Sequence, residues 1–441
     1  MREYLGVDFP CKTIYHCLMQ KATRSCTVRL YPTKRQEAVL SDWLELHRQL
    51  YNNSLAERKN AWEQEGRAVS YKEQQNALPD LKGRRPEYVP LGSHALQETV
   101  RRVDRGFQAF FRRVKNGEKP GYPRFKGRNR FDSFTYPCIS GWKLLSLGHE
   151  KKHGCKGRIQ ISNLGDIRLR GRCRADIVSL ERKDMPRLTL KRKRGKWYAI
   201  ITFKADVSLL QRGFGQAQDM TGIDLGLSSF ATFADGGFLP RLRHLDQDLQ
   251  KIKQAGKEVS RKKKGSNRRR KAVAKLSRLH DKVYERRKDY LHKITVQLVH
   301  NYSFLAVEDL RVKEMSANGG KRKRGLNRSM SDASLGKFLE ILLSKAEEAG
   351  CEVVKVDPKG TTQICSWCGQ TVPKKLYDRV HSCPDCGLVL DRDHNAAINI
   401  FKRGLALTGR EPSEAWRSVR PGLAPASSLK CETATMLHSG R

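Results

Sequence analysis

The chain has 441 residues, of which 87 are Lys or Arg and 46 are Asp or Glu, so its formal net charge is +41. Its hydrophobic fraction of 38% is sufficient for two or three folded domains. No stretch approaches the roughly 20 apolar residues of a membrane-spanning helix, and the first residues lack a secretory-signal pattern. So large a positive charge opposes compaction unless a polyanion neutralises it, which favours nucleic acid as the partner over a membrane surface. A ribosomal protein is the simpler alternative.

The N-terminal part predicts one strand and two long helices. Residues 27–32 read as a strand ended by proline, and Thr33 with Gln36 forms the capping-box pattern of a helix that runs to about Gly66. A second helix begins at Ser93. Apolar residues repeat along it at helical spacing, and we expect them all to be core: Leu96, Val100, Val103, Phe107, Phe110 and Val114.

Cations surround this stripe and continue into a loop at 121–131, where aromatic and basic residues alternate between Gly and Pro. Such a loop can stack bases while holding the phosphate backbone. It can equally be a loop anchored in the core with exposed cations, and the sequence does not decide between the two. The residues interpreted as nucleic-acid contacts are Arg101, Arg105, Arg112, Tyr122, Arg124, Phe125, Lys126, Arg128 and Arg130.

Short strands follow between about 142 and 204, with a hairpin turn at Arg194-Gly195. They fit a small antiparallel barrel that carries the two helices as an insertion. Further along, the pattern predicts strands at 221–225, 230–234, 304–310 and 352–356, a helical hairpin with a basic tip at 246–302, a mobile loop at 317–329, and a helix at 332–349.

Three acids lie in segments otherwise suited to burial. Asp224 and Glu308 lie in apolar strands, and Asp393 begins a helix. A buried acid is costly unless it meets a cation. Three such carboxylates can form an oxygen cage for two Mg²⁺ ions of the kind that cleaves phosphodiesters. Singly, Asp224 could be a turn former, Glu308 an ion-pair partner and Asp393 a helix cap.

Two neighbouring acids compete for these roles. Asp309 is one residue from Glu308, so in a strand it should face the opposite side of the sheet. Asp391 is interpreted as a helix cap or a partner of the ligands. Asp393 is preferred because Ala396 and Ala397 allow its helix to pack closely on the sheet.

Four cysteines form two Cys-x-x-Cys pairs, each followed by glycine: Cys365, Cys368, Cys383 and Cys386. This spacing predicts one structural, tetrahedral Zn²⁺ with no open position; a redox-active pair is the alternative. We expect His381 to be exposed and not a ligand. The other eight cysteines, Cys26 among them, are scattered without evident pairing, which favours a reducing cytosol.

Between about residues 22 and 403 the chain resembles the TnpB (OrfB-type) proteins of bacterial insertion sequences and the related compact type V CRISPR effectors. The motifs that carry the resemblance are 29–33, 50–52, 121–126, 222–226, 307–310, the four cysteines and 391–397. The resemblance implies an RNA-guided, Mg²⁺-dependent DNA endonuclease, with Asp224, Glu308 and Asp393 as the triad of a RuvC domain. Guide RNA and double-stranded DNA would be its partners.

We therefore expect an α+β multidomain fold. A leader at 1–21, with Met19 as a candidate start, precedes an OB-like wedge β-barrel at 22–215 that carries a helical recognition insertion at about 33–120. A RuvC, ribonuclease H-like α/β domain follows at 216–403, and residues 404–441 form a flexible tail. A Cys₄ zinc ribbon is expected within the third segment at about 360–390. Two alternatives remain open, a guided protein of this fold that does not cut and an unguided, transposase-associated DNA-binding factor.

Overall fold

The computed structural model describes residues 21–128, 130–150, 154–171, 187–206, 219–243, 245–316, 321–375 and 377–410. The expected leader, apart from its last residue, and the tail beyond 410 lie outside the described residues. The chain forms two compact units, Met1–Leu210 and Gln211–Arg441. None of the helices described in either unit is long and apolar enough to cross a membrane.

Unit 1 contains one antiparallel sheet and a group of helices. The helices follow the first strand and precede the second, as predicted for an insertion. The strands are β1 (Lys21–Tyr31), β2 (Ser133–Tyr136), β3 (Trp142–Glu150), β4 (Gly154–Ile161), β5 (Gly165–Gly171), β6 (Arg187–Lys193) and β7 (Lys196–Asp206). The helices are α1 (Lys34–Glu65), α2 (Tyr71–Asn76), α3 (Leu78–Arg84), a 3₁₀ helix (Pro86–Leu91) and α4 (Ser93–Lys115).

The sheet has the order β2-β6-β7-β1-β5-β4-β3, so β2 and β3 are its outer strands and closure into a barrel stays a prediction. Long β1 lies at its centre and pairs with both β7 and β5. The predicted turn joins β6 to β7, with Arg194 and Gly195 both at positive φ. The predicted capping box is present: Gln36 N–H donates to the Thr33 hydroxyl, and the Gln36 side chain accepts from Thr33 N–H. Cys26, expected to be unpaired, is disulfide-bonded.

The apolar stripe of α4 is fully buried over its first half only, which corrects the expectation: Phe107 is partly buried against the same core, Phe110 is half-buried and Val114 is exposed. Leu96, Val100 and Val103 are buried, whereas Val114 is 51% exposed. The first half of the helix packs with α1 and the sheet, but its last turns extend beyond them and meet the Tyr122 ring instead. The spacing of apolar residues gives the face of a helix and not the length over which that face is covered.

Unit 2 is built on a five-stranded mixed sheet. Its elements are β8 (Asp219–Leu225), β9 (Ser229–Phe233), β10 (Phe238–Pro240), α5 (Leu249–Ser260), α6 (Asn267–Asn301), β11 (Tyr302–Glu308), α7 (Val312–Met315), α8 (Lys321–Ala333), α9 (Leu335–Ala349), β12 (Glu352–Val356), β13 (Val380–Ser382), β14 (Val389–Asp391) and α10 (Arg392–Thr408). The order is β10-β9-β8-β11-β12, and β8, β11 and β12 are parallel. Strand β11, which lies between β8 and β12, is almost entirely buried, which explains its continuous apolar run.

Two expectations for unit 2 are corrected. The predicted loop at 317–329 is helical from residue 321, because Arg287 pairs with Asp332 and Met330 is buried, so tertiary contacts hold α8. Residues 317–320 lie outside the described residues. The last helix continues past the predicted boundary to Thr408, because Leu405 is buried among the residues beside the sheet. The predicted basic hairpin is confirmed as α5 and α6.

Candidate catalytic and metal sites

Asp224 and Glu308 lie beside each other on neighbouring parallel strands. Ile223 on β8 pairs in register with Val307 on β11, so the acid that follows each of them falls at the same level of the sheet. Asp224 is 9% exposed and Glu308 is 7% exposed. Two carboxyl groups are thus held in the interior at the carboxyl end of the parallel strands.

Asp393 reaches this edge from the first turn of α10. The helix packs directly on β8, since a Cβ on Gly222 would lie 2.4 Å from the Ala397 carbonyl oxygen. A Cβ on Gly226, just beyond β8, would lie 4.0 Å from Asp393 Oδ2. The small residues at 396 and 397 therefore act as predicted, allowing the close packing that brings Asp393 to the end of the strand that carries Asp224.

The electrostatics show that these acids influence one another. Burial raises the pKa of Asp224 well above its usual range, and the neighbouring charges of Glu308 and Asp393 raise it further. Burial also raises the pKa of Glu308, an effect that a hydrogen bond from Thr361 opposes. Arg392 donates to Asp393 Oδ1 from Nε at 3.1 Å and Nη2 at 3.0 Å. The cluster carries more acid than nearby cations can neutralise.

Hard oxygen donors with excess negative charge fit Mg²⁺. Among the described residues, however, the four cysteines alone form a group of three or more side chains whose ligand atoms all lie within 4.8 Å of one another.

Of the two rival acids, Asp391 is the helix cap that was expected, whereas Asp309 lies just beyond β11, which ends at Glu308 and not at 310 as predicted. Asp309 is exposed and its carboxylate lies 3.3 Å from Lys355 Nζ. Asp391 caps α10 by accepting from the backbone N–H groups of Asp393 and His394.

The four cysteines converge as the spacing predicts. The Sγ atoms of Cys365 and Cys386 are 3.6 Å apart, and those of Cys368 and Cys383 are 3.5 Å apart. Four sulfurs at about 2.3 Å from a tetrahedral Zn²⁺ would be roughly 3.8 Å apart, so the cluster fits zinc. Backbone amides, first that of Cys386 and then that of Asp385, lower the pKa of Cys383, whereas the pKa values of Cys368 and Cys386 are raised by burial and by the neighbouring thiols.

His381 is fully buried, so the expectation of an exposed side chain is wrong. In β13 it alternates with Val380 and Ser382, which face solvent, and its ring points inward to Lys374. Burial and the Lys374 charge lower its pKa. It is not one of the grouped metal-binding side chains.

Several polar residues that link the two sites were not identified from the sequence. Asn395 and Asn399 are one helical turn apart on α10 and bond the backbone of the segment that leads into Cys365. His394 Nε2 lies 3.1 Å from the Ala234 carbonyl oxygen at the end of β9. The i, i+4 spacing of the two asparagines was a visible signal of a shared face, but their partners could not be read from it.

The predicted nucleic-acid contacts lie on unit 1. The loop is anchored, since Lys126 N–H donates to Asn52 and its carbonyl accepts from Arg48 and Asn52. Tyr122 is 45% exposed and Phe125 is 52% exposed. Arg101, Arg112, Arg124, Arg128 and Arg130 are exposed, whereas Arg105 is partly engaged by a 2.5 Å contact with Glu98. The loop is thus anchored through its backbone with its rings and most of its cations exposed, and contact with nucleic acid stays a prediction.

The fold is shared with solved structures. A Cas12f1–sgRNA–target DNA complex superposes with a TM-score of 0.53 at 13% identity, covering 86% of this chain and 98% of that one. The mini-RNA-guided endonuclease CRISPR-Cas_phi3 gives 0.52 at 10% identity, covering 87% and 92%. The chain therefore has the multidomain α+β fold of compact type V effectors.

Sequence comparison gives the family. Residues 215–319 match OrfB_IS605, described as "Probable transposase", 336–400 match the "Cas12f1-like, TNB domain", and 19–67 match its "Helix-turn-helix domain". A "Putative RNA-guided DNA endonuclease" of Streptomyces pristinaespiralis is 31% identical over 88% of this chain and 91% of its own length. InsQ of Escherichia coli K12, which has the same description, is 28% identical over 88% of this chain and 94% of its own length. The chain belongs to the OrfB/TnpB family.

Proposed function

We propose that this protein is an RNA-guided DNA endonuclease whose cleavage site is formed by Asp224, Glu308 and Asp393. The observation that carries the proposal is the burial of Asp224 against two further acids, each supplied by a different segment of the chain. The full-length similarity to relatives named as RNA-guided DNA endonucleases supports the same activity. The parallel strands and the helix that carry the acids agree with a RuvC, ribonuclease H-like site.

The positions of the three acids indicate the role that each would have in the cleavage site. Asp224 and Glu308, fixed on adjacent strands, would hold cations at the sheet edge, and Asp393 would complete the set from the helix. The Mg²⁺ ions that these residues would hold would supply Lewis-acid stabilisation of the negative charge that develops on oxygen during phosphodiester cleavage. The guanidinium of Arg392 donates a hydrogen bond to Asp393. Its positive charge also lowers the pKa of Asp224, so it partly offsets the negative charge of the site.

Two surfaces are proposed to hold nucleic acid. The first is the aromatic and basic surface of unit 1, where Tyr122 makes edge contacts with Phe107 and Phe110, and Phe111 is 62% exposed. Exposed rings beside cations suit base stacking with phosphate contacts. The second surface is the tip of the α5–α6 hairpin, where Lys262, Lys263 and Lys264 are exposed. In such a complex, base pairing with the guide would supply sequence specificity.

The further assignments of the proposal are a wedge barrel at 22–215, its recognition insertion at about 33–120, a nuclease domain at 216–403 and one structural Zn²⁺ held by the four cysteines. The protein would act in the cytoplasm on DNA of the nucleoid.

The test is a cleavage assay on the protein purified with its copurifying RNA and a DNA duplex matching the variable end of that RNA. Asp224→Ala is expected to abolish Mg²⁺-dependent cutting while RNA and DNA binding persist. Asp309→Ala is the matched control, since this exposed acid just beyond the end of β11 pairs with Lys355 and should leave cutting near the wild-type rate. Residual cutting by Asp224→Ala would refute its role, and heterogeneous or absent RNA would favour an unguided DNA-binding function.

A further inference from the structure

One hydrogen-bond chain joins Glu308 to the segment that enters the zinc cluster. Thr361 is 2% exposed, and its hydroxyl lies 2.7 Å from Glu308 Oε1 and 3.1 Å from the Pro358 carbonyl oxygen. A hydroxyl has one proton to donate. The ionised carboxylate is the closer and stronger acceptor, so the proton points to Glu308 whenever that group is charged.

The position of Thr361 is itself fixed by the helix that carries Asp393. Both Nδ2 protons of Asn399 are used, one on the Thr361 carbonyl oxygen at 2.8 Å and one on that of Ile364 at 2.7 Å. Asn395 adds a bond to Ile364 and accepts from Ser366 N–H at 2.9 Å. Asn399 is 7% exposed and Asn395 is fully buried, so water does not replace these bonds easily.

These contacts therefore connect helix α10 to Glu308 through the segment 361–366. Helix α10 holds the segment 361–366 by its backbone, and that segment places one hydroxyl against one oxygen of Glu308. The contact leaves the other carboxylate oxygen, Oε2, free of this bond and fixes the rotation of the group. Carboxylates that bind metals are commonly oriented by hydrogen bonds of this kind, and removing the partner typically weakens metal binding by about 10–100-fold.

We propose that Thr361 is a positioning residue of the nuclease site, orienting Glu308 for divalent-metal binding, and that Asn399 ties its position to the helix bearing Asp393. The proposal rests on the proposed function, because it takes Glu308 as a metal ligand. It adds a role to a residue that contacts neither the metal nor the DNA. The segment before Cys365 thereby serves the nuclease site as well as the zinc cluster.

The experiment measures Mn²⁺ binding by electron paramagnetic resonance on the full chain with its RNA, beside the metal dependence of cleavage. Thr361→Val keeps the β-branched shape and removes the hydroxyl. We expect its Mn²⁺ dissociation constant, and the Mn²⁺ concentration for half-maximal cleavage, to rise about 10-fold or more. Thr361→Ser retains the hydroxyl and should restore both values towards wild type.

Zinc content and the unfolding temperature are measured on the same samples. Wild-type Mn²⁺ affinity in a folded, zinc-containing Thr361→Val protein would overturn the proposal, and so would equal weakening in Thr361→Ser. Glu308→Gln separates the two claims. If this variant binds Mn²⁺ and cleaves like wild type, the assignment of Glu308 to the nuclease site fails. If it loses both while Thr361→Val is unaffected, the role of Thr361 alone fails.

Discussion

Gly222 and Ala397 are in direct backbone proximity: a side chain on the strand residue would enter the space of the helix carbonyl. We expect Gly222→Ala to displace α10, because the two nearest atoms that its Cβ would meet, the Ala397 carbonyl oxygen and Phe401 N, belong to the helix backbone and cannot rotate away. Overpacking of this kind usually lowers the free energy of unfolding by about 1–3 kcal/mol. Cleavage should fall as well, since Asp224 and Asp393 lie on the two elements forced apart. Denaturant unfolding and the cleavage rate check both effects.

Gly256→Ala is the matched control for this substitution. Gly256 lies within helix α5 of the same unit, and an added Cβ would meet nothing within 4 Å. Because the added Cβ has open space, alanine in place of this half-buried helical glycine should stabilise by about 0.5–1 kcal/mol. Equal effects of the two substitutions would argue against close packing as the cause.

The raised pKa of Asp224 predicts a pH dependence of stability in protein without added Mg²⁺. The folded state retains a proton on Asp224 where the unfolded chain has lost it, so the unfolding free energy should fall as pH rises from about 4 through the raised pKa. Asp224→Asn removes this dependence and should gain stability over wild type towards neutral pH. Denaturation curves of both proteins across this pH range test the prediction, and parallel curves would contradict it.

Loss of one cysteine should remove zinc and destabilise unit 2. Structural Zn²⁺ contributes on the order of 10 kcal/mol to small modules of this kind, so Cys365→Ser should lower the unfolding temperature and the zinc content together. Cys138→Ser is the control, because this half-buried free cysteine lies in unit 1. Elemental analysis and thermal unfolding provide the readouts; a full equivalent of zinc in Cys365→Ser would exclude the cluster as the site.

The hairpin tip predicts an ionic contribution to nucleic-acid binding. Replacing Lys262, Lys263 and Lys264 by alanine should weaken binding to all sequences alike. It should also reduce the slope of log K against log salt by about one for each phosphate that the protein no longer neutralises. Lys337→Ala, which removes an exposed cation paired with Glu340 at 2.7 Å, should leave the slope unchanged. Fluorescence anisotropy over a salt series distinguishes these outcomes, and an unaltered slope in the triple variant would remove the hairpin from the interface.

The acids of the candidate site could be recognised in the sequence because they are ionisable side chains in segments otherwise suited to burial. Asp224 and Glu308 interrupt apolar strands, and Glu308 is buried whereas Asp309 is exposed, because the strand ends between them. The two Cys-x-x-Cys pairs fix their own geometry by spacing, so the cluster could be predicted without knowing the rest of the fold.

What the sequence did not show depends on contacts between distant segments. Thr361 is an ordinary polar residue until the fold brings it to Glu308, and nothing local in Val114 reveals that its part of α4 is uncovered. The helix α8 was missed because its Gly, Arg and Ser content resembles a loop, whereas the Arg287–Asp332 pair that holds it comes from another helix. Local sequence patterns thus identified the acids and the cysteines of the candidate sites, whereas tertiary contacts determine which residues these side chains meet.

The order of the three acids along the chain has a consequence for synthesis on the ribosome. Strand β8 with Asp224 emerges first, β11 with Glu308 follows after the basic hairpin, and α10 with Asp393 emerges after the cysteine segment. A growing chain therefore exposes both surfaces proposed to bind nucleic acid before the last of the three proposed metal ligands is synthesised. Under the proposed function, a chain that ends before α10 lacks Asp393 and is expected not to cut, although it contains both of those surfaces.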